Sequence, residues 1–435
     1  MLHVAIVGAG PAGFYTAEAL VKKLGAGVAV DIIDALPTPY GLIRAGVAPD
    51  HQSIKAVDRR YHAVLAGGVR FVGDVRVGDD GIGIDALLAL YDAVVLATGA
   101  PHDRRLGIPG EDLPGVMGSA AFVGWYNGHP EFADLAAPLA HPGVAVIGNG
   151  NVAIDVARVL AKTPAELAHA DLAAHARRAL AASGVRDIHI VGRRGPYQAS
   201  FTPKEMGELG ELERARPVVS PADLPDAAGD AALDPGLRKV VGHLRAFAAA
   251  PPRDVPVTIT FDCFSRPVAI EADGDALRLV IERTRLDGDR AVGTGELRTI
   301  ACGLIVGCIG YASAAIAGVP FDAGRGRVVN DGGLVADRLY VSGWARRGPS
   351  GTIGTNKTDG AEVAGRIVAE MAVGAVAGDR AGAAGLDALL TATGRRAVTF
   401  TGWQAIDAAE VAAASHPAPR EKIVTMADLR AMAHG

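Results

Sequence analysis

Gly8, Gly10 and Gly13 stand in the spacing G-x-G-x-x-G, and Asp34 follows Gly13 by 21 positions. Residues of these types at this spacing can hold a dinucleotide. The first glycine permits a tight turn, the second lets the backbone approach a pyrophosphate, and the third lets a helix pack close to a strand. A carboxylate about 20 residues further on can accept hydrogen bonds from ribose hydroxyls. The set recurs as Gly148-Asn149-Gly150-Asn151-Val152-Ala153, a G-x-G-x-x-A variant. There the next strand leads into Arg193 and Arg194 instead of a carboxylate. Their planar forks match the oxygens of a phosphate, which a carboxylate would repel. The second nucleotide is therefore expected to be NADP rather than NAD. For the first turn, FAD and NAD both remain open.

Each fingerprint carries weight only between a strand and a helix. Val4-Ala5-Ile6-Val7 reads as a strand, a helical run reaches Lys23, and Val28 to Ile33 reads as a second strand ending at Asp34. The second turn has the same surroundings: Val144 to Ile147 before it, a helix with Val152, Val156 and Val159 on one face after it, then the strand Asp187 to Val191. Between the two, Ala35 to His51 is rich in proline and glycine but also in Leu, Ile, Val and Tyr. So apolar a loop is expected to pack against a ligand or another domain. Lys55 to Leu65 has helical periodicity, Phe71 to Val77 alternates like a strand, and Tyr91 to Ala100 reads as a buried strand ending in a small-residue turn. Leu106 to Gly115 is dense in proline and glycine and marks a domain boundary. Val255 to Phe264, Ala276 to Arg285 and Leu304 to Tyr311 read as strands, the last closing the second domain. Leu339 to Asp359 is a strand, a glycine-rich turn with free N–H groups, and a helix starting near Asp359; Trp344 offers a flat apolar surface there.

Composition sets the bounds. A chain of 435 residues, 49% hydrophobic and 21% charged, is a globular protein with room for two or three domains. A net charge of −5 with scattered basic residues gives no reason to expect nucleic acid as a partner. No run of 18 uncharged apolar residues suggests a membrane span. The Ala/Gly-rich run from Ala361 to Gly385, interrupted by charges, reads as a surface helix followed by a loop. Cys263, Cys302 and Cys308 are too few and too oddly spaced for a disulfide framework, a redox dithiol or a zinc site. No metal is expected, and with no secretory signal at the N-terminus the expected compartment is the reducing cytoplasm.

Together, Gly8 to Ala17, Pro39 to His51, Ala97 to Ala100, Leu106 to Gly115, Gly148 to Arg158, Gly192 to Glu208 and Gly343 to Asp359 resemble the adrenodoxin reductase type of ferredoxin–NADP reductase in its bacterial form. The likeness runs in order through almost the whole chain and weakens between about Leu209 and Leu304. It implies an α/β fold of two Rossmann-like dinucleotide-binding domains, the NADP domain (106–316) inserted in a discontinuous FAD domain (1–105 and 317–435). It implies FAD at Gly8, Gly10, Pro11, Gly13, Asp34, Gly41, Leu42, Thr98 and Gly99, and at Trp344, Gly351, Thr352 and Ile353 where the chain returns. NADP(H) would lie at Asn149, Gly150, Asn151 and Val152, with Arg193 and Arg194 on the 2′-phosphate and Glu205 on the ribose side. In the family a histidine and a glutamate lie near the flavin and nicotinamide; here they are His51 and Glu208, the catalytic candidates. The family's Lys-Glu-Leu is Lys204-Glu205-Met206 here, which keeps the carboxylate.

The implied activity is hydride transfer from NADPH to FAD, then single-electron transfer to two molecules of an acidic iron–sulfur ferredoxin, docked transiently by charge, for a redox system such as a monooxygenase. The chain is itself acidic, so docking needs a local basic patch, with Arg214, Arg216, Arg238, Lys239 and Arg245 as candidates. Two alternatives remain at this level. One is a flavin subunit like the small subunit of glutamate synthase, disfavoured by the missing cysteine-rich segment. The other is a non-catalytic Rossmann-like binding module.

Overall fold

The first strand, β1 (Leu2–Val7), is apolar on both faces, the pattern of a parallel strand covered on both sides; Leu2, Val4, Ala5 and Ile6 are fully buried. In the computed structural model, which describes residues 1–374 and 378–435, the glycine turn leads into α1 (Pro11–Leu24), with proline where the helix needs no N–H partner. β2 (Val28–Ile33), β3 (Arg70–Val72) and β4 (Ala93–Leu96) follow, β2 and β4 pairing parallel with β1 and β3 with β2.

The chain then builds a second unit, Asp103–Gly310 with His416–Ala418, while Met1–His102, Tyr311–Ser415 and Pro419–Gly435 make the first. In the second unit β5 (Val116–Gly118), β6 (Gly143–Ile147), α2 (Asn151–Ala161), β7 (Asp187–Val191), α3 (Pro203–Gly210), β8 (Ala215–Val219) and β9 (Val257–Asp262) come first. An antiparallel sheet of β10 (Ser265–Asp273), β11 (Ala276–Asp287) and β12 (Arg290–Cys302) follows, then β13 (Leu304–Gly307). The six-stranded parallel sheet runs β5-β13-β6-β7-β9-β8. Ala145, Ile147, Ile270, Leu279 and Ile305 form one buried cluster, so the antiparallel sheet covers part of the parallel one.

On its return the chain completes the first sheet with β14 (Leu334–Ala336) and β15 (Leu339–Val341), giving the order β14-β15-β4-β1-β2-β3. α4 (Thr355–Ala372) packs on α1, and α5 (Phe400–Ala412) follows. Both units are thus α/β, each with a largely parallel sheet.

Several local readings change. The strand expected to Val77 stops at Val72, because Asp74 turns the chain with φ +59°. The helix expected over Lys55 to Leu65 is two, Gln52–Lys55 and Asp58–Ala66. The helix expected to start near Asp359 begins at Thr355. The Ala/Gly-rich run holds the expected surface helix and the non-helical stretch after it, with two additions. α4 buries Val363, Ala364 and Ile367, and another helix, Gly382–Ala392, starts within the run; residues 375–377 lie outside the described residues. Gly360 explains the close crossing, since a Cβ there would sit 2.7 Å from the Thr16 nitrogen.

Candidate dinucleotide-binding sites

Val7 is in register with both Ile33 and Leu96, and Leu96 with Val341, so β1, β2, β4 and β15 end level. In doubly wound sheets ligands bind outside such carboxyl ends. The structure brings Gly8, Gly10, Pro11, Gly13, Asp34, Thr98, Gly99 and Trp344 to this end, each directly after a strand, in the turn that follows one, or in the first turn of the next helix. Gly8 has φ +114°, and a Cβ there would meet the Ala97 carbonyl oxygen at 2.3 Å. A Cβ on Gly13 would lie 2.1 Å from the Gly8 oxygen. A Cβ on Gly10 would meet no atom within 4 Å. The fold itself therefore demands Gly8 and Gly13, whereas no packing against the rest of the chain demands Gly10.

The Pro-rich loop lies against this turn. The Tyr40 N–H donates to the Ala9 carbonyl at 2.8 Å, and a Cβ on Gly41 would come within 2.9 Å of the Gly10 Cα. Leu42 remains 44% exposed, unusual for leucine so near a packed turn. His51, at the end of the Pro-rich loop, is buried at the start of the helix Gln52–Lys55. Gly343 seats the returning chain: a Cβ there would lie 2.4 Å from the Ala12 Cβ, and this holds Trp344 near the start of α1. The Trp344 indole donates to the Ser350 carbonyl, and its ring faces Tyr311 with centroids 6.0 Å apart. Gly351 takes φ +78°, and the Thr352 N–H donates to Thr355 Oγ1, leaving Ile353 just before α4.

Asp34 is partly committed to the turn. Its carboxylate accepts the Ala9 N–H at 2.6 Å and the Leu36 N–H at 2.9 Å. Burial pushes its pKa up, against the pull of those two donors. A carboxylate has about four acceptor positions, so capacity for ribose hydroxyls remains.

The second turn repeats the first. Gly148 has φ +153° with its Cβ direction blocked by the Cys308 oxygen at 2.2 Å, while a Cβ on Gly150 would meet nothing within 4 Å. The segment after the arginines folds back over it. The Ser200 N–H donates to the Asn149 carbonyl at 2.9 Å and the Thr202 N–H to Asn151 Oδ1 at 2.8 Å. Val152 opens α2. Arg193 and Arg194 are pinned by their carbonyls, which accept from Thr284 Oγ1 and the Phe264 N–H. Among the described residues neither guanidinium has a hydrogen-bond or ion-pair partner. Glu205 Oε2 is likewise buried with no partner.

Glu208 is held from below by a residue that sequence reasoning missed. Arg158, fully buried on α2, pairs with Asp155 at 2.8 Å and with Glu208 at 3.3 Å. The signal was present: a cation sits among Ile154, Ala157 and Ala161, all buried positions of one helix. An unpaired charge there would be costly, so a partner was implied.

The thiols are inert. Burial pushes Cys263 up to about 12 and Cys302 up to about 11, and raises Cys308 as well. Thiol–disulfide exchange needs a thiolate, which none of the three supplies near neutrality. Among the described residues no His, Cys, Asp or Glu grouping could hold a metal, and no helix is long and apolar enough to cross a membrane.

Residues 2–194 match the family model described as pyridine nucleotide-disulphide oxidoreductase. NADPH-ferredoxin reductase FprA of Mycobacterium leprae is 39% identical over 100% of this chain and 98% of its own. The human mitochondrial NADPH:adrenodoxin oxidoreductase is 39% identical over 99% of this chain and 92% of its own. The solved structure of Mycobacterium tuberculosis FprA in complex with NADPH superposes with a TM-score of 0.96 at 37% identity, covering 100% of both chains. The chain belongs to the NADPH–ferredoxin (adrenodoxin) reductase family. The family-model match of this reductase takes in both glycine turns and reaches Arg193 and Arg194.

Proposed function

We infer that the protein is an NADPH–ferredoxin reductase that holds FAD in its first unit and NADP(H) in its second. The observation that carries this reading is a pair of glycine turns whose middle positions no protein atom fills, in a chain that aligns end to end with named reductases. At the first turn Gly8, Gly10, Pro11 and Gly13 would seat the FAD pyrophosphate at the N-terminus of α1, where free N–H groups and the helix dipole favour negative charge. Asp34 would take the ribose, with Gly41, Leu42, Thr98, Gly99, Trp344, Gly351, Thr352 and Ile353 serving the rest of the flavin nucleotide. At the second turn Asn149, Gly150, Asn151 and Val152 would hold the nicotinamide nucleotide's pyrophosphate. Arg193 and Arg194 would clamp the 2′-phosphate, and the orphaned Glu205 oxygen would meet a ribose hydroxyl.

Bound FAD supplies the chemistry, accepting electrons as a hydride and releasing them one at a time. The protein's part is to orient and to exclude. His51 and Glu208 would position the nicotinamide rather than act as obligatory acid and base. His51→Ala should then slow single-turnover reduction of the bound flavin about tenfold; an unchanged rate with an unchanged pH profile would remove His51 from the site.

The electron acceptor is an iron–sulfur ferredoxin, and docking by charge follows from its acidity. Three of the five candidate cations are already engaged: Arg214 on the Leu160 and Ala161 carbonyls, Arg238 on the Asp230, Ala231 and Leu233 carbonyls, and Arg245 on Asp230. Arg216 and Lys239 remain as the better docking candidates. The three cysteines are free, as in a reducing compartment, and the cytoplasm is the compartment this reading favours.

Anaerobic titration with NADPH tests the whole reading. The purified protein should be yellow, should bleach on NADPH, and should then reduce ferredoxins one electron at a time, with the ferredoxin-coupled rate falling as salt rises. A colourless protein, or a yellow one that NADPH leaves unbleached, would overturn it.

A further inference from the structure

The loop that carries Gly41, Leu42 and His51 is held in a conformation that its own sequence does not favour. Tyr40 has φ +83° and Gly41 φ +51°. A bulky residue in that region is strained and persists only where its surroundings over-determine it. Here they include Phe14 and Tyr61 and, more than 350 residues further along the chain, α5. The Trp403 ring meets Tyr40 edge-on with centroids 5.7 Å apart, and the Arg44 guanidinium lies over the same indole at 5.3 Å. Arg44 then forks onto the Glu410 carboxylate, with Nη1 donating to Oε2 at 2.8 Å. Glu410 is fully buried and takes two further donors, the Ile423 N–H at 3.0 Å and the Arg420 guanidinium at 3.2 Å. The buried Lys422 donates to the Arg44 carbonyl at 3.2 Å.

We propose that Glu410 is a positioning residue of the flavin site, acting from α5 through Arg44 to hold the Tyr40–Arg44 turn against the Gly8–Gly13 turn. Arg44 belongs to the loop by sequence and is tied to α5 by charge. A bidentate carboxylate fixes the guanidinium's plane as well as its position, which a single hydrogen bond would not. The fixed Arg44 anchors one end of the strained turn, Trp403 braces the other, and Gly41 is thereby pressed to Gly10. Burial alone would push the Glu410 carboxyl up, but Arg44, the Ile423 N–H and Arg420 outweigh it and hold the group below its usual range. The anchor therefore stays charged throughout the neutral range.

The proposal rests on FAD occupying the first turn, and the two can be tested apart. In holoenzyme carrying Glu410→Gln, the rate of FAD release, followed by the rise in flavin fluorescence, should increase by about tenfold or more. Leu390→Ala, in a core cluster that does not include α5, is the control for lost stability. It should lower the melting temperature without hastening FAD release. Should Glu410→Gln fail to fold, Lys422→Met carries the test, removing a support of the Arg44 carbonyl while leaving the Arg44–Glu410 pair in place, with release expected about threefold faster. Wild-type release from the folded Glu410→Gln or, in its place, the Lys422→Met protein, or equal acceleration by Leu390→Ala, overturns the proposal. If instead Gly10→Ala retains FAD as wild type does, the assignment of the first turn has failed, whatever Glu410 does.

Discussion

Gly10→Ala should give a folded but colourless protein. Gly10 has φ −89° and ψ −177°, a conformation any residue adopts, and its Cβ direction is empty for 4 Å. Alanine there should move the apoprotein's melting temperature by no more than about 2 °C. The added methyl would stand where a pyrophosphate must approach the backbone, so FAD affinity should fall about a hundredfold, to the point that the protein purifies without flavin. Gly13→Ala should behave in the opposite sense. Its Cβ would sit 2.1 Å from the Gly8 oxygen, a backbone atom that cannot yield unless α1 leaves β1. That variant should lose roughly 3 kcal/mol of stability or more before any question of ligand arises. Melting curves of the apoproteins and the 450 nm absorbance of the purified proteins separate the two. A yellow, stoichiometrically loaded Gly10→Ala protein would refute the assignment.

Removing both arginines should abolish the preference for NADPH. Each charge-assisted hydrogen bond to phosphate contributes about 1.5–3 kcal/mol, so the Arg193→Ala/Arg194→Ala protein should lose about a hundredfold or more in kcat/KM for NADPH. NADH carries no 2′-phosphate, and its kcat/KM should change by about threefold at most. The guanidiniums are bound to nothing else among the described residues, and the arginine carbonyls keep their bonds to Thr284 and Phe264 whatever the side chain. The loss should accordingly appear in binding the nucleotide and not in folding. Equal losses with both nucleotides would place the arginines outside the 2′-phosphate site.

What the sequence made legible follows from the range of the forces involved. β1, β2 and the two glycine turns could be read because their determinants are local: apolar residues in short runs, and glycines where a Cβ would strike a neighbouring carbonyl. The arginines after β7 could be read because their charge departs from the carboxylate at the equivalent place after β2. β3 was overread, since alternation from Phe71 to Val77 cannot reveal that Asp74 adopts φ +59°. The Arg44–Glu410 pair was not legible at all, because its members are 366 positions apart. A hint did exist, as Trp403, Ile406 and Glu410 lie at helical spacing on one buried face, where a carboxylate requires a partner. The sequence could show that such a partner was needed, but not which of the many arginines supplied it.

The pairing of β4 with β15 sets the order in which the molecule can be made. Val94 is in register with Leu339, so β4 has one neighbour within the first hundred residues and must wait for the other until nearly four-fifths of the chain has left the ribosome. The six strands of the second unit's parallel sheet, by contrast, all lie between Val116 and Gly307 and pair with one another; of later residues only His416–Ala418 join that unit. Domains fold as units during synthesis, so the second unit should close first, while β1 to β4 wait with one edge of their sheet unpaired. With NADP(H) in the second unit and FAD in the first, as proposed, the nascent chain should bind NADP(H) before it can retain flavin, and a shortage of FAD in the cell would leave the late-closing unit as the part exposed to proteases.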